Sequence, residues 1–256
     1  MVSSSPPGAE FVRLVSHPLR WRILTELARS DLRVRELVTL AGEPQNLISY
    51  HLRVLRAGGL VTAGRSSFDG RDSYYHLDLD RCAEAWADAG AALHPMLGRV
   101  PVSRPRADDL SARPAVLFVC TGNSARSPIA EALVRRHSAG RVEVASGGSH
   151  PQDRLHPHAV RVLHDEFGID VAGRRPRRLE TVLDRRFDYV ISLCDKAREV
   201  LPDLPGRPRL VHWSIPDPGR AGYPPFQRTA AEIDTRVRHL LEVLAPGRTE
   251  ARGARN

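Results

Sequence analysis

The chain has 256 residues, 41% of them hydrophobic, only three of them cysteine, and a formal charge of +8. That length suits two domains better than one, and no apolar run approaches the roughly 20 residues that a membrane span needs. Three cysteines are too few for a disulfide framework, and residues 1–8 lack the charged-then-apolar layout of a signal peptide, so the expected location is the reducing cytoplasm. Lys196 is the one lysine, and residues 1–100 hold 12 arginines against 11 acidic residues, so the positive charge lies mostly beyond them. A basic balance favours anionic partners without locating them.

Residues 9–60 read as a run of short helices. Phe11, Leu14 and Val15 open the first, and Leu19, Ile23, Leu24 and Leu27 have helical spacing in the second. A third runs from Arg33 to Leu40, with Val34, Leu37 and Val38 apolar, and Ala41-Gly42 ends it. Pro44 opens a fourth, in which Leu47, Ile48, Leu52 and Leu55 are expected to face inward and Gly58-Gly59 to close it. Two helices joined by a short Gly-containing turn form a helix-turn-helix unit. The outward positions of the fourth helix, Gln45, Asn46, Ser49, Tyr50, Arg53 and Arg56, carry side chains that bond base edges or phosphates. Residues 60–65 and 73–77 read as strands joined across an Asp69-Gly70 tip. That hairpin makes the unit a winged helix, with Arg65 and Arg71 as further DNA-contact candidates. His51 either helps at the DNA face or packs into the core.

The stretches HPLRWRILTELA, SYHLRVLRAGGLV and GRDSYYHL resemble the arsenical-repressor (ArsR) family of winged-helix transcriptional regulators over roughly residues 9–94. The resemblance implies a homodimer, with helices near 9–15 and 79–94 at its interface, whose two recognition helices enter successive major grooves of operator DNA. Metalloid-sensing members often carry Cys-x-Cys at the start of the third helix, where this chain has Arg33-Val34-Arg35. Cys82 is the only sulfur left to this domain, and trivalent arsenic prefers about three thiolates. Cys82 therefore reads as a helix-packing residue in preference to a ligand, and no metal site is expected.

Pro95, Gly98, Pro101, Pro105 and Pro114 punctuate a stretch without apolar periodicity, which reads as a linker over 95–112. Beyond it, strand-like runs at 115–120, 142–145, 189–194 and 210–213 alternate with helix-like segments at about 127–138, 157–167, 195–201 and 226–244. Alternation of this kind argues a parallel sheet with helices on both faces. The expected fold class is thus two-domain: a mainly-α winged helix-turn-helix at 9–94, then a doubly wound α/β domain with a four-stranded parallel sheet at 113–246. The tail after residue 246 is polar and Arg-rich.

Ala115-Val116-Leu117-Phe118-Val119-Cys120 is an apolar, β-branched run, and Pro128 sits just inside a helix start a few residues later. Cys120 therefore ends a strand and opens a tight loop, Thr121-Gly122-Asn123-Ser124-Ala125-Arg126-Ser127, aimed into a helix N-terminus. Backbone N–H groups and the helix dipole favour an anion there. The same field favours a thiolate, and Arg126 is able to fork onto two oxygens of an oxyanion.

The Cys-x5-Arg-Ser motif resembles the low-molecular-weight tyrosine phosphatase superfamily, which includes one class of arsenate reductases. Ser146-Gly147-Gly148, His156-Pro157-His158 and Ile215-Pro216-Asp217-Pro218 stand in family order. The resemblance implies Cys120 as nucleophile, and Arg126 with the amides of 121–127 as oxyanion holder. It further implies Ser127 as hydroxyl donor to the sulfur, Asn123 as the fixer of the loop backbone, and Asp217 as general acid.

CTGNSARS and VHWSIPDP are closer to the reductases than to the phosphatases, which typically place aromatic residues where this chain has Gly219-Arg220. Cys194 matches the family's resolving cysteine; the alternative is a buried structural thiol. Thioredoxin-coupled members carry a further cysteine where this chain reads Arg198-Glu199-Val200-Leu201. No bound cofactor is expected, and the external thiol reductant is left among thioredoxin, mycoredoxin with mycothiol, and glutathione. Arg174, Arg175, Arg177 and Arg178 are either an anion-steering cluster or a solvated face. The implied function is an arsenate reductase joined to a regulator of arsenic resistance. A phosphotyrosine or other phosphomonoester phosphatase stays open, as does a regulator that only senses an oxyanion or redox state.

Overall fold

A computed structural model of the chain describes residues 7–68, 70–98, 113–219 and 222–244. The expected wing-tip Asp69, most of the linker, Arg220 and the Arg-rich tail lie outside the described residues. The chain forms two compact units. One comprises Met1–Pro101 with Ser192–Glu199 and Val211–Pro216; the other comprises Val102–Ile191, Val200–Leu210 and Asp217–Asn256. Two short pieces from beyond residue 113 thus group with the N-terminal residues, which a linear division of the sequence does not anticipate.

In the first unit, α1 (Pro7–Val15), α2 (Pro18–Leu27), α3 (Val34–Ala41) and α4 (Gln45–Ala57) surround a core of Phe11, Ile23, Leu37, Ile48, Leu52 and Leu55. Pro18 occupies the first turn of α2, where its missing N–H costs nothing, and the His17 side chain accepts from the Leu19 N–H. Glu36 Oε2 accepts the Arg33 N–H at the start of α3, and Gly42 at φ +66° ends it in the left-handed conformation that glycine adopts without penalty. One expectation fails here: Leu47 is 36% exposed, whereas Ile48, one position on, is fully buried. The 100° step per residue places Ile48, Leu52 and Leu55 on the core face and turns Leu47 off it.

The wing strands are β2 (Val61–Arg65) and β3 (Ser73–Leu77), paired antiparallel from Val61–Leu77 to Arg65–Ser73. A two-residue strand, β1 (Leu32–Arg33), adds to the free edge of β3. It is too short to leave an alternation signal in the sequence. After the wing, α5 (Leu79–Leu93) starts on Asp78, whose carboxylate accepts the Arg81 N–H, and packs against α1.

The four strands β4 (Ala115–Cys120), β5 (Glu143–Gly148), β6 (Tyr189–Ser192) and β7 (Arg209–His212) stand in the order β5-β4-β6-β7. β4 and β5 run parallel, from Ala115–Glu143 to Cys120–Gly148. Every residue of β4 is buried, as a central strand covered on both faces must be. In the second unit, α6 (Arg126–Ser138) packs on β4 and β5 and against α7 (Pro157–Phe167) and α9 (Pro224–Leu244). The helix expected over 195–201 is a single turn and a half, α8 (Asp195–Glu199), and Pro202 follows within three residues of its end. This architecture is the mainly helical winged helix-turn-helix followed by a parallel-sheet α/β domain that the sequence patterning implies.

Candidate functional site

The α/β unit places its chemistry where β4 gives way to α6. Cys120 ends β4 and is 2% exposed. The chain turns through residues 121–125 and enters α6 at Arg126, with no side chain capping the helix start. Ala125, the residue before the helix, carries no polar side chain with which to cap it, and a helix N-terminus of this kind favours an anion.

The loop is held from outside by its carbonyls. The His150 N–H donates to the Thr121 carbonyl at 2.9 Å, the Gln152 N–H to Gly122 at 2.9 Å, and the His156 N–H to Ser124 at 2.8 Å. Three outward-facing carbonyls pinned in this way fix the peptide planes, and with them the direction of the loop N–H groups. Gly148 permits the close approach: a Cβ there would lie 2.7 Å from the Thr121 carbonyl oxygen and 2.9 Å from the Asn123 nitrogen.

Asn123 stands at φ +43°, a left-handed conformation that asparagine tolerates better than most residues. Its buried amide Nδ2 donates to Ser127 Oγ at 2.8 Å and to Ser146 Oγ at 2.9 Å, while Oδ1 accepts the Arg177 N–H at 2.7 Å. Ser127 Oγ lies 3.0 Å from Cys120 Sγ. With its own oxygen accepting from Asn123, the Ser127 hydroxyl is free to turn its proton toward the sulfur.

Behind Ser146 sits Glu131, 2% exposed, which accepts from Ser146 Oγ at 2.7 Å and from Arg135 and Arg174, and is also paired with Arg177. Burial alone pushes the Glu131 carboxyl up, but the bonds from Ser146, Arg177 and Arg135 prevail and hold it below its ordinary value. Arg174 and Arg177 are therefore ion-pair partners of one buried carboxylate, while Arg175 and Arg178 are exposed.

Arg126 is 6% exposed, and its Nη2 donates to Asp217 Oδ2 at 2.8 Å; the Asp217 side chain is 62% exposed. Asp217 Oδ1 accepts the Gly219 N–H at 2.9 Å, an Asx-turn that orients the carboxylate. Cys120, Thr121, Gly122, Ser124, Ala125 and Arg126 line one cavity of about 630 Å³ together with Asp217, and its far wall is the segment 152–157. Of that wall the sequence marks only His156 and Pro157, which stand in family order. His156 within it stacks on Phe226 at 4.4 Å, and burial, with His158 adding, lowers its pKa. The only sequence signal was His156-Pro157 at a helix start, which marks a cap and gives no hint of a cavity.

Cys194 is buried, between the end of β6 and the start of α8, and belongs to the first unit. Cys82 is half-buried against the helical core, and burial, aided by Asp78, pushes its thiol up to about 11. Such a thiol is protonated at neutral pH and is a poor metalloid ligand. Among the described residues no group of three His, Cys, Asp or Glu side chains is placed to hold a metal ion.

On α4, Gln45, Asn46, Tyr50 and Arg53 are exposed and Ser49 is half-buried; Arg65 and Arg71 are exposed on the wing. Arg65 Nη1 donates to the Gly70 carbonyl and so braces the hairpin. His51 is 4% exposed, 4.3 Å from the His17 ring, and its Nδ1 lacks a hydrogen-bond partner. Of its two open readings, the packed one is what the structure contains.

Residues 115–249 match the family described as low molecular weight phosphotyrosine protein phosphatase, and residues 17–63 match the arsR family of bacterial regulatory proteins. The chain is 33% identical over 127 residues to an arsenate reductase of Brevibacillus brevis, covering 50% of this chain and 93% of that protein. An arsenate reductase of Bacillus anthracis is 32% identical over the same shares. Among solved structures, the arsenate reductase of Archaeoglobus fulgidus is 32% identical with a TM-score of 0.43, covering 50% of this chain and 98% of that one.

Proposed function

The chain belongs to the low molecular weight phosphotyrosine protein phosphatase family, and from that premise we propose that it is a thiol-dependent arsenate reductase fused to an arsR-type operator-binding regulator. The observation that carries the catalytic half is one cavity lined by Cys120, loop residues up to Arg126 and Asp217, with Ser127 Oγ 3.0 Å from Cys120 Sγ and Arg126 paired with Asp217.

In this reading arsenate enters with its oxygens on the 121–127 amides and on Arg126. Cys120 attacks as a thiolate, an S–As bond forms, and Asp217 gives a proton to the departing oxygen, which leaves as water. Arg126 then holds the developing charge that it otherwise shares with Asp217. Cys194 supplies the second thiol: its thiolate attacks Cys120 Sγ, an S–S bond forms, and the S–As bond breaks with its electron pair passing to arsenic. Arsenic gains two electrons and leaves as arsenite, and each sulfur loses one. An external thiol, from thioredoxin, mycoredoxin with mycothiol, or glutathione, returns the two electrons.

The regulatory half rests on the exposed polar face of α4, with Gln45, Asn46, Ser49, Tyr50 and Arg53, and on Arg65 and Arg71 of the wing. A homodimer is supported by Trp21 and Trp86, both exposed with ring centroids 6.5 Å apart, and by exposed Val12 on α1 and Leu93 on α5. A cytoplasmic location accords with such a regulator, and among the described residues no helix is long and apolar enough to cross a membrane.

The test is arsenite release by purified protein with excess dithiol. Wild-type protein yields arsenite and Cys120→Ser yields none; equal yields from the two proteins overturn the reading. A second reading, a phosphomonoesterase, has the Arg126–Asp217 geometry in its favour, because protonating a leaving oxygen serves both chemistries. Turnover of an aryl phosphate well above arsenate reduction selects it.

A further inference from the structure

The first compact unit contains a buried polar hub that the catalytic scheme does not use. Asp195, the first residue of α8, is 2% exposed. Its Oδ2 accepts from Ser66 Oγ at 3.0 Å, from the Ser67 N–H at 2.7 Å and from Ser67 Oγ at 3.2 Å. Its Oδ1 accepts from Ser214 Oγ at 2.8 Å and lies 3.0 Å from His212 Nε2. Burial pushes the carboxyl up, but the bonds from His212, Ser214, Ser67 and Ser66 outweigh it and hold Asp195 far below the usual carboxylate range.

Ser66 is the residue on which the wing turns. Its N–H donates to the Asp72 carbonyl at 2.8 Å, its carbonyl accepts the Gly70 N–H at 3.1 Å, and its Oγ accepts the Phe68 N–H at 3.2 Å. The loop that joins β2 to β3 is therefore anchored at its start on Asp195.

The same two chain segments grip the start of α3. Glu199 pairs with Arg33 at 3.0 Å and Arg198 with Glu36 at 2.5 Å. The Ser214 N–H donates to buried Asp31 at 2.7 Å, and the Asp31 N–H donates to the His212 carbonyl at 2.8 Å. Asp195 directly follows Cys194, and the 211–216 segment leads straight into Asp217, so both segments are continuous with residues given chemical roles above. Satisfied buried networks of charge-assisted bonds have few alternative arrangements, and a shift of under an ångström at one member is felt by the rest.

We propose that Asp195 couples the thiol–disulfide state of Cys194 to the seating of the DNA-contacting wing, so that arsenate turnover lowers operator affinity. This inference rests on the reductase reading for its redox event, the two-thiol oxidation balanced above by reduction of As(V) to As(III). It goes beyond that reading in naming the physical link. By linkage, operator DNA must in turn disfavour the disulfide by the same factor.

The experiment uses the full chain and a duplex selected by reduced wild-type protein from a random-sequence pool, with Kd read by fluorescence anisotropy at fixed salt. Wild type is expected to lose affinity about tenfold or more after arsenate, within the usual range of allosteric coupling. Mass spectrometry is expected to find a Cys120–Cys194 disulfide in the same sample. Cys194→Ser is expected to bind tightly and not respond. Asp195→Asn is expected to bind about tenfold more weakly when reduced and to respond to arsenate by less than twofold.

Because Asp195→Asn is able to disturb folding, the Ser66→Ala, Ser67→Ala double variant removes the bonds from the wing side, with the same result expected. Wild-type affinity and a wild-type response in both variants overturn the inference while leaving the reductase reading intact. Absence of the disulfide after arsenate overturns the Cys194 route and the redox coupling with it, while arsenite release alone decides the reductase reading. In that case weakened binding by both reduced variants still supports the Asp195 anchor, and wild-type binding by both removes it as well.

Discussion

Asn123 offers the sharpest quantitative test of the site. Replacing it by alanine removes three buried hydrogen bonds, to Ser127, Ser146 and the Arg177 backbone, and leaves a β-carbon in the left-handed region at φ +43°. At about 0.5–1.5 kcal/mol net for each bond, the lost bonding amounts to about 1.5–4.5 kcal/mol. Left-handed backbone without a side chain to stabilise it adds about 1–2 kcal/mol. The expected loss for Asn123→Ala is therefore about 2.5–6.5 kcal/mol. Asn123→Gly relieves the backbone and forfeits only the bonds, so it should lose about 1.5–4.5 kcal/mol.

Urea unfolding followed by fluorescence separates the two variants, provided that the α/β transition is resolved from that of the winged helix. Single-turnover arsenite formation should fall in both, because Ser127 Oγ loses the donor that orients it toward Cys120 Sγ. Should Asn123→Gly match wild type in midpoint and in single-turnover rate, the side-chain bonds contribute nothing and the account of the loop is wrong.

Further outcomes follow from the same geometry. Asp217→Asn should reduce the arsenate single-turnover rate by about 10²–10⁴, the usual contribution of a positioned acid, with little change in the urea midpoint because its side chain is 62% exposed. An unchanged rate would remove Asp217 as the acid. Gly148→Ala sets a methyl group against the Thr121 carbonyl at 2.7 Å, and about 1–3 kcal/mol of destabilisation with a weakened phosphate affinity by calorimetry is expected. Burial, with His17 and Arg20, lowers the pKa of His51, so the unfolded chain binds its proton first as the pH falls. Winged-helix stability should therefore decline as the pH drops below about 6.5, and His51→Phe should flatten the decline. A pH dependence identical in the two proteins refutes this assignment.

Much of the fold was legible because the deciding signals are local. The uninterrupted apolar run of residues 115–120 fixes a central strand, Pro157 and Gly168 bound a helix to the residue, and the wing strands carry their turn signal between them. Leu47 misled because an apolar residue beside Ile48 satisfies a count of helical spacing without saying which of the two the 100° step buries. The loop that follows Cys120 was legible for the same local reason, being continuous in sequence. Its support was not: Glu131, Ser146 and Arg177 meet only in the folded sheet, and the carbonyl clamp from His150, Gln152 and His156 consists of backbone groups that any residue supplies. Asp195 was hidden more deeply, since its partners Ser66 and Ser67 are 128 or more positions away and its five bonds involve residue types that normally sit in solvent.

The Arg126–Asp217 pair gives the cavity a built-in rival for every anion that enters. A guest must offer the guanidinium more than the aspartate already does, and a halide has a single charge and no oxygens for the fork. A tetrahedral dianion has two oxygens for the fork and a third for the displaced acid. The pair therefore sets a threshold: an anion displaces Asp217 from Arg126 only where it satisfies the guanidinium better than the carboxylate does.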